Sequence, residues 1–216
     1  MKIRFDRLNR GIILAVVLAI GTAAYVVAQN ISFKNSIPEI GERAEKLGQE
    51  FAETNIGSNE DAVKRKQTAF VQNNFLSEKG GSMLNFGGIS MNKSSFLYDL
   101  NSIVSEAQEG SEVYSAKYVQ KSVKVKKSGS TGANVSVDYE ITFDCSGTPS
   151  LFGFSGRNET DYMFDDDADK DARKTITVIG EADIYMLPDG KEWKIANVTA
   201  SDSLEVNFDN GGESDE

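Results

Sequence analysis

The side chains of this sequence that could do chemistry are concentrated in a few places. Asp165, Asp167, Asp169 and Asp171 alternate, with Asp166 beside them. An oxygen-rich run of this kind can ligate calcium. Yet Lys170 stands where a calcium hand needs its turn glycine, and Ile176 falls at the twelfth position, where a bidentate Glu belongs. A solvated acidic loop is therefore expected and no metal, with calcium at these four aspartates as the lesser alternative. Tyr139 and Tyr185 lie in alternating segments, as do Asp138, Glu140, Glu181 and Asp183. Paired carboxylates can do acid–base work when they face a pocket. These four fall on the polar phase of their segments, which predicts a solvated sheet face.

Two absences narrow the chemistry further. There is no His, so the commonest general base and metal ligand is missing. The single Cys, Cys145, can form no internal disulfide and has no His to activate it. The expectation is no catalytic residue, no cofactor and no enzyme. A net charge of -10, from 33 acidic against 23 basic residues, argues against nucleic acid as a partner.

A different kind of function is suggested by residues 144–171, an unusually long link between two strand-like segments. It carries Phe152, Phe154, Tyr162 and Phe164 among Gly147, Gly153 and Gly156. Aromatics beside glycines make a docking loop, and these four are the candidate partner-binding residues. The alternative is that they cover an open end of the sheet.

The elements that must position these groups begin with an uncharged run, residues 11–28. Eighteen residues of helix span roughly 27 Å, close to a bilayer core of about 30 Å. Lys2, Arg4, Arg7 and Arg10 precede it against Asp6 alone. A basic flank stays in the cytoplasm, so the rest of the chain is placed outside. This predicts a cytoplasmic tip over 1–10 and a transmembrane helix over 11–29. The other reading is a signal peptide cleaved after Ala28, which would release the remainder.

Beyond the span, Ser36 and Glu39 form a capping box with Pro38 in the first turn, predicting a helix start. Ile37, Ile40, Ala44, Leu47 and Phe51 make its apolar stripe. A spacer is assigned to 30–57. A second helix is predicted from Ser58 to about Leu76, with Val63, Gln67, Phe70, Val71 and Phe75 along one side. Residues 77–93 read as a loop, and a third helix runs from about Ser94 to Gly110.

The period then changes to two. Strands are predicted over Tyr114–Val125, Val135–Phe143, Ile176–Met186 and Trp193–Val198, with a hairpin turn at Pro188-Asp189-Gly190. Helices followed by antiparallel strands mean α+β: about three helices packed on a curved antiparallel sheet of four or more strands. The domain is bounded at 58–200, and 201–216 is read as an acidic tail.

The segment Ala182-Asp183-Ile184-Tyr185-Met186-Leu187-Pro188-Asp189-Gly190-Lys191-Glu192-Trp193-Lys194-Ile195 resembles the closing hairpin of the nuclear-transport-factor-two-like cone fold. Three helices before a meander suit that fold as well. Such cones serve as enzymes and as assembly modules, so the fold does not name the activity. With an N-terminal span, the arrangement is similar to membrane-anchored bacterial components of secretion and conjugation machines. The expectation that follows is a non-catalytic module of a bacterial envelope complex, with protein partners and self-association left open. The alternative is an extracytoplasmic small-ligand-binding or enzymatic cone domain.

Overall fold

The computed structural model describes residues 10–58, 60–76, 83–86, 89–95, 97–98, 110–154, 156–158, 160 and 172–208. The chain divides into two units, Met1–Pro38 and Glu39–Glu216.

The first unit is helical from Arg10, where helix α1 (Arg10–Glu53) begins. Its apolar side chains point to every side: Val17, Leu18, Ile20, Tyr25, Val26, Val27 and Ile31 are all exposed. Among the described residues no helix is long and apolar enough to cross a membrane. The expected span is therefore not reproduced as such. The described side chains of α1 start at Ala15, and Gln29, Asn30, Ser32 and Lys34 then dilute the apolar run. Of the tip expected over 1–10, residues 1–9 lie outside the described residues.

The helix start predicted at Ser36 is also corrected. Helix α1 continues through Ser36 and Pro38 without interruption. Ser36 Oγ donates back to the Ser32 carbonyl at 3.2 Å, which a side chain inside a helix can do and a cap cannot. The missing Pro38 N–H costs one helical hydrogen bond.

In the second unit, α1 buries Ile40, Ala44, Leu47, Phe51 and Ala52. Helix α2 (Glu60–Asn74) buries Val63, Gln67, Phe70 and Val71, the face read from its spacing. The stretch expected to be a loop instead holds a hairpin, β1 (Met83–Phe86) and β2 (Ile89–Asn92). Strands of four residues are too short for alternation to announce them. Of the third helix, residues 93–95 and 97–98 are helical, and most of the remainder lies outside the described residues.

The sheet has the order β3-β4-β7-β8, all neighbours antiparallel. Its strands are β3 (Glu112–Ser128), β4 (Gly132–Ser146), β7 (Lys174–Asp189) and β8 (Glu192–Phe208). A small hairpin, β5 (Leu151–Gly153) with β6 (Gly156–Asn158), sits in the long link. Gly190, at a positive φ of 67°, makes the turn between β7 and β8. One face of the sheet is core. It carries Val135, Val137, Tyr139, Ile141 and Phe143 from β4, with Ile176, Val178, Ala182, Ile184 and Met186 from β7. Strand β8 runs to Phe208, so the first part of the presumed acidic tail is sheet.

Candidate functional site

A transverse row of residues crosses the middle of the sheet: Gln120 on β3, Tyr139 on β4, Gly180 on β7 and Asp202 on β8. Directly paired residues share a face. Gly180 has no side chain, so the Tyr139 ring passes over it to the next strand. Its hydroxyl donates to Asp202 Oδ2 at 2.9 Å and accepts from the Phe154 backbone N–H at 3.2 Å. A Cβ at Gly180 would lie 2.6 Å from the Ser201 carbonyl and 2.8 Å from Tyr139 Cζ, so any larger residue would block the reach. Gly153 does the same from above, since a Cβ there would fall on the Asp202 carboxylate.

The electrostatics follow from this packing. Burial, then the Asp202 charge and hydrogen bond, hold the Tyr139 phenol far above the ordinary tyrosine range. Tyr139 is thus a neutral donor. Asp202, an acceptor at about four lone-pair positions, receives one hydrogen bond from it. Tyr118 stacks on Tyr139 with centroids 6.0 Å apart. Its hydroxyl is buried without a hydrogen-bond partner among the described residues, and burial followed by the Glu45 charge raises its pKa as well.

On the other, exposed face of the sheet lies a depression of about 450 Å³, bordered by Asp138, Ile179, Glu181, Ser201, Ser203 and Lys121, where it crosses the strand positions Tyr139, Gly180 and Asp202. Asp138 and Glu181 are directly opposite each other on β4 and β7, both exposed. Like charges in that position destabilise a sheet unless something neutralises them. Ser122 donates to Asp138, and Lys121 pairs with Glu140 at 2.8 Å. Asp138 and Glu181 therefore place two carboxylates side by side on the exposed face, which suits a positively charged or donor-rich molecule, while the Tyr139 and Asp202 side chains are on the opposite, core face.

The residues singled out from the sequence fall as follows. Asp138 and Glu181 are brought together at this depression, and the Tyr139 side chain is on the opposite, core face. Glu140 and Asp183 lie on the same sheet, and Asp183 accepts from Ser136 at 2.6 Å. Tyr185 shares the phase of Glu181 and Asp183 on β7 and is half-buried. Phe154 is corrected as a partner anchor. It is buried, stacked on Phe51 at 4.9 Å and edge-on to Tyr139 at 5.3 Å, so it covers the sheet from within. The backbone of Phe152 pairs with Arg157, and its side chain is outside the described residues. Tyr162 and Phe164 lie outside them too, as do Asp165, Asp167, Asp169 and Asp171. Cys145 is buried and its thiol is pushed up to about 11 by that burial, with Lys174 opposing, so it is a poor nucleophile.

Asp202 was missed because it sat in an acidic stretch. The signal was present nonetheless. Val198, Ala200, Asp202, Leu204 and Val206 share one phase of β8, which puts a carboxylate among apolar positions.

No family model matches the chain, and no curated protein matches it. Solved structures do. A hexachlorocyclohexane dehydrochlorinase, LinA type2, is 9% identical, with 79% of this chain and 92% of that one covered and a TM-score of 0.43. A protein assigned as a dehydratase of the NTF2-like family, from Streptomyces avermitilis, is 16% identical, with coverage of 76% and 97% and a TM-score of 0.45. An NTF2-like protein of unknown function from Prochlorococcus is 14% identical, with coverage of 74% and 90% and a TM-score of 0.37. The chain resembles the NTF2-like proteins. At these identities the likeness is one of fold.

The expectation that the chain is not an enzyme is corrected by these comparisons. Dehydrochlorinases are among the structures that it resembles, so the fold gives no ground for excluding catalysis. The missing His removes one kind of base only.

Proposed function

We propose that the α+β domain binds a small, positively charged organic ligand at the depression over Gly180. Asp138 and Glu181 are the groups placed to accept hydrogen bonds from that ligand. The observation that carries the reading is the juxtaposition of Asp138 and Glu181, directly opposite each other on adjacent strands and both exposed to one depression. This makes the protein a ligand-binding or enzymatic cone domain. The test is calorimetry on the full chain in nonionic detergent, with putrescine and ethanolamine as probes and acetate as control. Binding of either amine, lost in Glu181→Gln, is expected. Equal affinity in wild type and Glu181→Gln would reject the site.

We further propose that a single span anchors the domain outside the cytoplasmic membrane of a bacterium. The uncharged run at 11–28, its basic flank and the all-round apolar exposure of α1 support this reading. Membrane fractionation should retain the full-length chain after a carbonate wash. A soluble product whose N-terminus is Gln29 would replace the anchor with a cleaved signal peptide.

A further inference from the structure

A second concavity lies elsewhere in the domain. It is a cleft of about 730 Å³ between α1, α2 and the β7–β8 turn, and it shares no lining residue with the depression at Gly180. Its size falls within the roughly 300–1,000 Å³ of small-molecule sites.

Its charges are balanced. Arg43, Lys46, Lys66 and Lys191 line it, and so do Glu39, Glu50, Glu53 and Glu192. A simple anion entering the cleft meets four carboxylates, and a simple cation meets four cations. Only a molecule carrying both signs gains from both sets. Trp193 and Phe70 add apolar surface between the charges.

The centre of the cleft is pre-organised. Arg43 Nη2 donates to Asn74 Oδ1 at 2.6 Å, and Arg43 Nε to the Trp193 carbonyl at 3.4 Å. Asn74 in turn donates to Glu50 Oε2 at 3.1 Å. The guanidinium is thereby held from two sides. Arg43 Nη1 stands 3.6 Å from Glu50 Oε1, an ion pair too long for a hydrogen bond. Of five N–H donors on a guanidinium, these contacts engage two. The Nη1 edge can therefore take a ligand carboxylate, with the exposed Lys46 ammonium beside it, 3.7 Å from Glu50.

Spacing sets the length of the ligand. Along α1, Glu39 lies about 6 Å of helix rise from Arg43, and Glu53 about 15 Å. An extended tripeptide reaches roughly 10 Å. A single amino acid, whose charges are a few bonds apart, spans less of that range.

The geometry points to this cleft as a binding site for a short zwitterionic peptide with free termini. Its carboxylate sits on Arg43 and Lys46, its ammonium on a flanking glutamate, and an apolar side chain lies against Trp193.

The test is calorimetry on the full chain in nonionic detergent with the tripeptide Ala-Leu-Ala. Three control probes are run beside it: the same peptide acetylated and amidated, sodium acetate, and ethylamine. The free tripeptide is expected to bind, and each control at least tenfold more weakly. Arg43→Gln and Lys46→Glu should each weaken the tripeptide about tenfold. Glu181→Gln should leave its affinity unchanged, which separates this site from the one at Gly180. Lys46 is exposed, so Lys46→Glu decides the matter if Arg43→Gln fails to fold. No heat with the free tripeptide at millimolar concentration, equal binding of the blocked form, or an unaffected Lys46→Glu variant would each overturn the proposal.

Discussion

Replacing Tyr139 by Phe removes one oxygen and keeps the ring. The oxygen holds two hydrogen bonds, one to Asp202 and one from the Phe154 N–H. A hydrogen bond to a charged acceptor contributes about 1.5–3 kcal/mol, and a buried donor left unsatisfied costs about 1–3 kcal/mol. Asp202 is half-exposed, which places the first figure at its lower end. A loss of about 2–4 kcal/mol at pH 7 is expected. Urea unfolding followed through Trp193, the single tryptophan, measures it directly. The same substitution has a signature at alkaline pH. The folded-state pKa of Tyr139 is raised, so its contribution is complete below the ordinary tyrosine value of about 10 and declines above it. There the unfolded chain sheds a proton that the folded chain keeps. Stability then falls by about 1.4 kcal/mol per pH unit for each such tyrosine. Tyr118 behaves alike, so wild type carries two such contributions and Tyr139→Phe one. The variant should therefore lose stability less steeply above pH 10. A change below about 0.5 kcal/mol at pH 7, together with an unaltered alkaline slope, would refute the account of this hydroxyl.

Phe154→Ala removes a ring packed between Phe51 and Tyr139, and should cost about 3–5 kcal/mol in urea unfolding. A small loss would return Phe154 to the docking surface. Asp144 takes a hydrogen bond from Arg173, which holds its carboxyl below the usual carboxylate range. That stabilisation is present above the unfolded carboxylate value and is lost as pH falls through the folded one. Arg173→Ala should raise the Asp144 titration midpoint by NMR while changing stability by less than about 1 kcal/mol, since Arg173 is 63% exposed.

The long, strongly periodic elements were legible in the sequence. The alternation in β4 and β7, and the stripe on α2, each predicted the side chains that are buried. Boundaries were less legible. Ser36 and Pro38 carry sound local start signals, yet the helix passes through them, because flanking helical turns outweigh one missing hydrogen bond. The hairpins β1–β2 and β5–β6 offered too few residues for a period. Of the site, Asp138 and Glu181 were visible as polar strand positions. Their direct opposition was not, because strand pairing sets it. Asp202 was hidden for a different reason: the density of acidic residues after it suggested a tail, although its phase matched the apolar positions of β8.

The passage of Tyr139 over Gly180 ties the histories of two positions that lie on different strands. A glycine-to-valine change at 180 would be tolerated only in a chain whose residue 139 is already short. A tyrosine at 139 could arise only where 180 was already glycine. Among relatives of this protein, the pair should therefore vary together or not at all, and reversing either change alone should expose the dependence. Crossing Gly180→Val with Tyr139→Ala, and finding the double variant more stable than Gly180→Val alone, would show that one strand's empty position sets what its neighbour can inherit.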